Sequence, residues 1–148
     1  MLLKRILLDT NIFILGYLQP SSISGQLLTQ LQQTDITLIV SNELIEQVRR
    51  VARRVGGKDW AGLVIDQIWR DFHVEYIWIS DDEKTLVTTQ AIIPREDVGI
   101  YLTAVKGQAN CMISANRQFV REAAAQQKLF ASFYPEDFLD QYFADDNV

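Results

Sequence analysis

The residues best suited to chemistry are carboxylates at separate points of the chain. Asp9 directly follows the apolar run 6–8, which is typical of a buried strand. Glu43 and Glu46 follow the β-branched run 36–40, and Asp97 opens a helical pattern. Carboxylates gathered at one point resist ionisation unless a cation is bound between them. The set therefore predicts a site for Mg²⁺ or Mn²⁺, hard cations that prefer oxygen ligands, where a phosphodiester could be hydrolysed by an activated water.

Alternating strand and helix patterns must position these groups. The pattern predicts strands at 3–8, 36–40, 74–79, 110–114 and 129–133. It predicts helices at 22–33, from Ser41 to about Val55, and at 59–72, 95–106, 116–127 and from Pro135 onward, with 80–94 mostly loop.

This alternation predicts an α/β fold, a Rossmann-like three-layer α/β/α sandwich around a mostly parallel five-stranded sheet. The carboxyl ends of such strands meet at one edge, where ligands bind. Residues 1–143 are expected to form a single domain, with 144–148 a flexible acidic tail.

Composition narrows the function classes. A net charge of −5 argues against a protein that coats nucleic acid, but not against a nuclease, since metal-binding carboxylates lower the sum. No apolar run approaches the roughly 20 residues that span a bilayer, so no membrane association is expected. Cys111 is the single cysteine and fits a reducing cytoplasm, while the single histidine rules out histidine-rich zinc sites.

The ordered motifs resemble the PIN-domain family of metal-dependent nucleases. The matching segments are Asp9-Thr10-Asn11, Ser41 with Glu43 and Glu46, Asp97-Val98-Gly99-Ile100 through Ala104, Met112 to Phe119, and Pro135 to Leu139. The resemblance covers about residues 3 to 140. It implies a divalent-metal-dependent endonuclease that cuts single-stranded RNA, as in prokaryotic toxin–antitoxin pairs, and hence an antitoxin protein as a partner.

The resemblance also assigns roles to residues. Asp9, Glu46 and Asp97 would hold the metal and, with Asn116 as a weak or outer ligand, form the catalytic set. Asn11 would help to orient the first carboxylate and lie near the substrate.

Two family positions differ in this chain. The family usually has Asp where Asn116 stands, and an acid six residues after the serine, where Gln47 stands. Glu46 is the preferred replacement for that acid, and Glu43 is the second choice. Because two charges are missing, the alternative function is a catalytically weakened or inactive PIN-fold module that binds RNA or a protein.

Other features leave alternatives open. Arg49, Arg50, Arg53 and Arg54 could grip a phosphate backbone, form a solvated helix face that complements the helix dipole, or dock an acidic partner. Aromatic residues of the last helix predict core packing or a homodimer interface.

Simpler roles exist for the acids as well. Asp9 could only cap a helix, and Asp97 could only complement a helix dipole. A phosphatase of the haloacid dehalogenase type also begins with a strand ending in Asp. That family needs a second Asp two residues later, where this chain has Asn11.

Overall fold

The computed structural model describes residues 4–89, 97–126 and 129–143. Strands and helices alternate along most of the chain. The elements are β1 (Arg5–Leu8), α1 (Thr10–Leu18), α2 (Ile23–Gln32), β2 (Thr37–Ser41), α3 (Asn42–Asp71), β3 (His73–Ile77), α4 (Asp81–Thr89), α5 (Val98–Lys106), β4 (Cys111–Ile113), α6 (Arg117–Gln126), β5 (Ala131–Phe133) and α7 (Pro135–Phe143).

The five strands form one parallel sheet with β1 at its centre. The strand order is β3-β2-β1-β4-β5. Leu8 pairs with Ile113 of β4, so the residue after β1 lies beside the residue after β4. The predicted α/β fold with a five-stranded sheet is confirmed, and the sheet is parallel throughout. Its topology places Asp9 in the middle of the carboxyl edge.

Helices cover both faces of the sheet. Trp69 of α3 stacks on Tyr76 of β3, with ring centroids 6.1 Å apart. Gly107, at the end of α5, lies so close to Ile39 and Ile77 that a side chain there would collide with Ile39. Successive strand residues point to opposite faces, so Tyr76 and Ile77 mark different faces. The contacts therefore confirm the three-layer sandwich.

The long span α3 is two helices joined at a glycine. Ser41 caps its start, with Oγ accepting from the Leu44 N–H at 3.1 Å. Gly57 interrupts it with φ 91° and ψ 174°, a conformation that suits glycine. The sequence prediction of one helix from Ser41 to about Val55, followed by another at 59–72, is confirmed.

The expected loop over 80–94 is wrong for its first part, because α4 occupies residues 81–89. Ser80 and Glu83 form a reciprocal capping box. The Ser80 N–H donates to Glu83 Oε1 at 3.1 Å, and the Glu83 N–H donates to Ser80 Oγ at 3.2 Å.

Several predictions fall outside the described residues, namely the rest of that loop, the start of the predicted helix 95–106, and the tail 144–148. Among the helices that are described, none has the length and apolar character needed to cross a membrane.

Candidate active site

Asp9 is a buried carboxylate at the centre of the carboxyl edge. The residue is only 8% exposed. It caps α1, with Oδ1 accepting from the Thr10 N–H at 2.7 Å, and Oδ2 accepts from Ser114 Oγ at 2.7 Å. Burial raises the pKa of Asp9, and the bonds from Ser114 and Thr10 lower it by less than burial raises it. The simple capping role is therefore real, but capping alone leaves a costly buried charge.

Neighbours of Asp9 on α1 tie that helix to α3. Thr10 Oγ1 donates to Gln47 Oε1 at 2.7 Å. Gln47, which stands where the family has its acid, thus makes a neutral hydrogen bond to Thr10, the residue that follows Asp9. Asn11 is exposed in the first turn of α1.

Asn116 lies on the other side of Asp9 and caps a helix. Its Oδ1 accepts from the Phe119 N–H at 3.1 Å, one turn into α6. Its own N–H donates to Ser114 Oγ at 3.0 Å, and the same hydroxyl donates to Asp9. The structure therefore connects Asn116 to Asp9 through Ser114.

Glu46 and Glu43 have different surroundings on α3. The Glu46 side chain is 63% exposed and pairs with Arg49 at 3.0 Å. The Glu43 side chain is 26% exposed and pairs with Lys84 of α4 at 2.8 Å. A Cβ built on Gly99 of α5 would lie 3.1 Å from Glu43 Cβ and 3.4 Å from its Oε2. Glu43 therefore packs against the first turn of α5, whereas Glu46 faces solvent.

Asp97 stands immediately before α5. It is half-buried, has φ −100° and ψ −4°, and its side chain does not cap the helix. It lies two residues before Gly99, so Asp97 and Glu43 belong to the same corner of the carboxyl edge.

The predicted substrate-binding arginines line the first half of α3. Arg49, Arg50 and Arg53 are exposed, as is Arg54. Arg49 donates a hydrogen bond to Glu46 Oε2 at 3.0 Å, so its charge is partly balanced within α3.

A complete three-ligand cluster is not formed by the residues that the structure covers. In the ranges 4–89, 97–126 and 129–143, no three His, Cys, Asp or Glu side chains are close enough together to hold a metal ion. The cluster is incomplete because Gln47 and Asn116, near Asp9, are neutral amides that make hydrogen bonds, and because the Glu46 side chain faces solvent.

The donor set nevertheless fits Mg²⁺ or Mn²⁺. Mg²⁺ typically binds through one or two carboxylates, with waters and phosphate oxygens completing the shell. Asp9 is a buried carboxylate that receives its hydrogen bonds from neutral groups and forms no ion pair within the described chain. A cation beside it would offset the desolvation that raises its pKa.

Sequence reasoning missed two hydroxyl residues that build the site. Ser114 joins Asp9 to Asn116, and Thr103 of α5 hydrogen-bonds to Ser41 Oγ at 2.6 Å. Both hydroxyl residues are fully buried. The signal available for Ser114 was its position directly after β4, in line with Asp9; Thr103 carried no comparable signal.

A family model and a solved structure are similar to this chain. The family model of the PIN domain matches residues 5–118. A solved structure, that of VapBC2 from Rickettsia felis bound to a DNA fragment from their promoter, contains a chain with a similar fold. The TM-score is 0.61 and the sequence identity 16%, over 88% of this chain and 98% of that one.

Among curated proteins, none matches this chain. PIN domains are generally dependent on divalent metals, which agrees with the chemistry of the donor set. The family match spans most of the chain and includes Asp9, Glu43, Asp97 and Asn116. The chain belongs to the PIN-domain family.

Proposed function

We propose that this protein is a metal-dependent endoribonuclease that cuts single-stranded RNA. The observation that carries the proposal is the buried Asp9 carboxylate at the centre of the carboxyl edge of a PIN fold. A buried carboxylate with neutral partners is costly in an ion-free protein and becomes favourable beside a cation. Sites whose pKa is perturbed in this way are enriched for function.

Asp9 and Asp97 would hold Mg²⁺ or Mn²⁺, and one acid of α3 would reach the ion through a bound water, because no three acids of the described residues are close enough together to bind it directly. The sequence named Glu46 first, but the contacts support Glu43, which packs against the start of α5 beside Asp97. Asn116 would remain an outer ligand or a helix cap.

When bound, the ion would polarise a phosphoryl oxygen and lower the pKa of a nearby water. The protein's own contribution is to fix the carboxylates: Ser114 and the Thr10 N–H orient Asp9. Arg49, Arg50 and Arg53, with Asn11 nearer the edge, would bind the substrate, since guanidinium groups pair with phosphates in a bidentate manner. Cleavage would add water across the P–O bond, leaving one phosphate end and one hydroxyl end.

The test is cleavage of single-stranded RNA in Mn²⁺ or Mg²⁺ by wild type, Asp9→Asn and Asp97→Asn. We expect wild type to cut and each variant to lose at least about a hundredfold in rate, the scale on which one electrostatic group in a site acts. Asp66→Asn is a matched control, because Asp66 is an exposed acid on α3 whose ion pair, within the part of the chain that the structure describes, is with nearby Arg70. Equal cutting by all four proteins, or cutting by none, would overturn the catalytic proposal.

A second candidate is a PIN-fold module that binds RNA or a protein without cutting. Two amides favour it: Gln47 and Asn116 stand at family acid positions and are engaged in hydrogen bonds. Titration with Mn²⁺ separates the two functions, since only a native-state binder is stabilised by the ligand. A melting temperature that stays constant up to millimolar Mn²⁺ would favour the inactive module.

The cellular role that we propose is that of the toxin in a toxin–antitoxin pair, acting in the cytoplasm. The solved structure of VapBC2 is an assembly, and its likeness supports an antitoxin protein as the partner of this chain. A second copy of the chain is also a proposed partner. Light scattering of the purified protein measures self-association, and inhibition of RNA cleavage by a co-expressed partner tests the antitoxin.

A further inference from the structure

An ion pair between α3 and α4 occupies the acidic corner of the site. Lys84 Nζ lies 2.8 Å from Glu43 Oε1, and the two side chains are 36% and 26% exposed. It is the least exposed of the three ion pairs that α3 makes within the described residues, and the other two lie within α3 itself. Partial burial reduces screening by salt, so Lys84 acts on Glu43 more strongly than a surface lysine would.

Glu43 is restrained on its other side by α5. The absence of a side chain at Gly99 lets the Glu43 carboxylate lie along the first turn of that helix, 3.4 Å from where a Cβ would stand. Asp97 is two residues earlier on the same turn. Glu43 is thus held between an ammonium group and the helix start that carries Asp97.

The segment that carries Lys84 is fixed firmly beside the start of α3. Asn42 makes two hydrogen bonds to the backbone of Ile79, donating to its C=O at 3.0 Å and accepting from its N–H at 2.7 Å. Ser80 and Glu83 then cap α4 reciprocally. These bonds set the position of α4, and they therefore hold the Lys84 ammonium beside Glu43.

We propose that Lys84 is a built-in competitor of the divalent ion. In the ion-free protein its ammonium neutralises Glu43, and the ion must displace it in order to use that carboxylate. This inference rests on the proposed metal-dependent site, with Glu43 as the acid from α3. It assigns Lys84 the role of setting the metal concentration at which the protein becomes loaded.

The test is Mn²⁺ binding, measured by the loss of the free Mn²⁺ signal in electron paramagnetic resonance and by the Mn²⁺-induced shift in melting temperature. Lys84→Met removes the charge and keeps most of the length of the side chain. We expect it to bind Mn²⁺ about fivefold more tightly than wild type, the scale of a partly exposed ion pair.

Lys106→Met is the matched control. Lys106, the last residue of α5, forms an ion pair at 3.0 Å with Glu83 of α4, the helix that also carries Lys84. The exposure of this pair is similar, and its acid is Glu83 and not Glu43. Both variants lose one positive charge, so their long-range attraction for cations changes equally. We expect Lys106→Met to bind Mn²⁺ as wild type does, within about twofold.

A double-variant comparison identifies the partner through which Lys84 acts. In a Glu43→Gln background, Lys84→Met should no longer tighten Mn²⁺ binding, because there is no carboxylate left to release. Equal affinities for Lys84→Met and Lys106→Met, or the same tightening with and without Glu43, would overturn the inference.

Asp9→Asn distinguishes the failure of this inference from that of the proposed function. If Asp9→Asn weakens Mn²⁺ binding while Lys84→Met has no effect, the metal site stands and the role of Lys84 is wrong. If wild type binds no Mn²⁺, both are wrong.

Discussion

The hydroxyl of Ser114 connects Asp9 to Asn116, and its removal should have the clearest effect on the site. Ser114 Oγ donates to the Asp9 carboxylate at 2.7 Å and accepts from the Asn116 N–H at 3.0 Å. Ser114→Ala removes both bonds and leaves two groups without that partner. A hydrogen bond to a charged group contributes about 1.5–3 kcal/mol and a neutral one about 0.5–1.5 kcal/mol. We therefore expect a loss of about 3 kcal/mol in the free energy of unfolding.

Urea denaturation in EDTA measures this loss directly. For a chain of this length the loss corresponds to about 6–12 °C in melting temperature. Ser132→Ala is the matched control, because Ser132 lies on the neighbouring strand β5 and its buried Oγ has no hydrogen-bond partner in the described structure. Removing that hydroxyl should leave stability unchanged or raise it by up to about 1 kcal/mol.

A second readout concerns the pKa of Asp9. The Ser114 hydrogen bond lowers that pKa against the larger effect of burial, so Ser114→Ala should raise it further. Carbon-detected NMR of the carboxyl group would follow the titration. If Ser114→Ala unfolds at the same urea concentration as Ser132→Ala, or the Asp9 titration does not move, the proposed support of Asp9 by Ser114 is wrong.

Three further outcomes are expected. Asp9→Asn should stabilise the ion-free protein, because burial raises the pKa of Asp9 in the folded state. Wild type should therefore lose stability relative to the variant as the pH rises above 3.8, the ordinary pKa of an aspartate. Melting in EDTA from pH 3 to 8 measures that gap, and a gap that shrinks with pH would contradict it. Gly57→Ala should cost about 1–3 kcal/mol by urea denaturation, purely from its backbone conformation of φ 91° and ψ 174°, because nothing lies within 4 Å of the added Cβ; an unchanged midpoint would contradict this strain. Arg53→Gln should weaken binding of single-stranded RNA and reduce its salt dependence by about one unit of slope, whereas Arg70→Gln, in an ion pair near the far end of α3, should not; equal salt slopes for the two would exclude the arginine surface as the RNA contact.

Most of the fold could be predicted because apolar periodicity and caps are local properties of the sequence. The strand before Asp9, the cap at Ser41 and the break at Gly57 all carried such signals and are confirmed. Helix α4 was missed even though its Ser80–Glu83 capping box is visible in the sequence, because the polar composition around it outweighed that signal.

The site was harder to predict because it depends on contacts between distant elements. Spacing on α3 placed Glu43, Glu46 and Gln47 near one another, but it could not indicate which of them meets α1, α5 or solvent. That choice depends on Gly99, which leaves room for Glu43, and on Thr10, which binds Gln47. Thr10 and Gly99 both lie more than 30 residues along the chain from the first turn of α3. No local sequence pattern therefore indicates these contacts.

The central claim is that a divalent ion binds at the carboxyl edge of the sheet between Asp9 and Asp97. Anomalous diffraction from a crystal soaked in Mn²⁺ tests it most directly. We predict one strong peak coordinated by Asp9, directly or through water, with Asp97 and Glu43 completing the protein side and Lys84 displaced from Glu43. A peak remote from Asp9, or no peak at millimolar Mn²⁺, would contradict the claim.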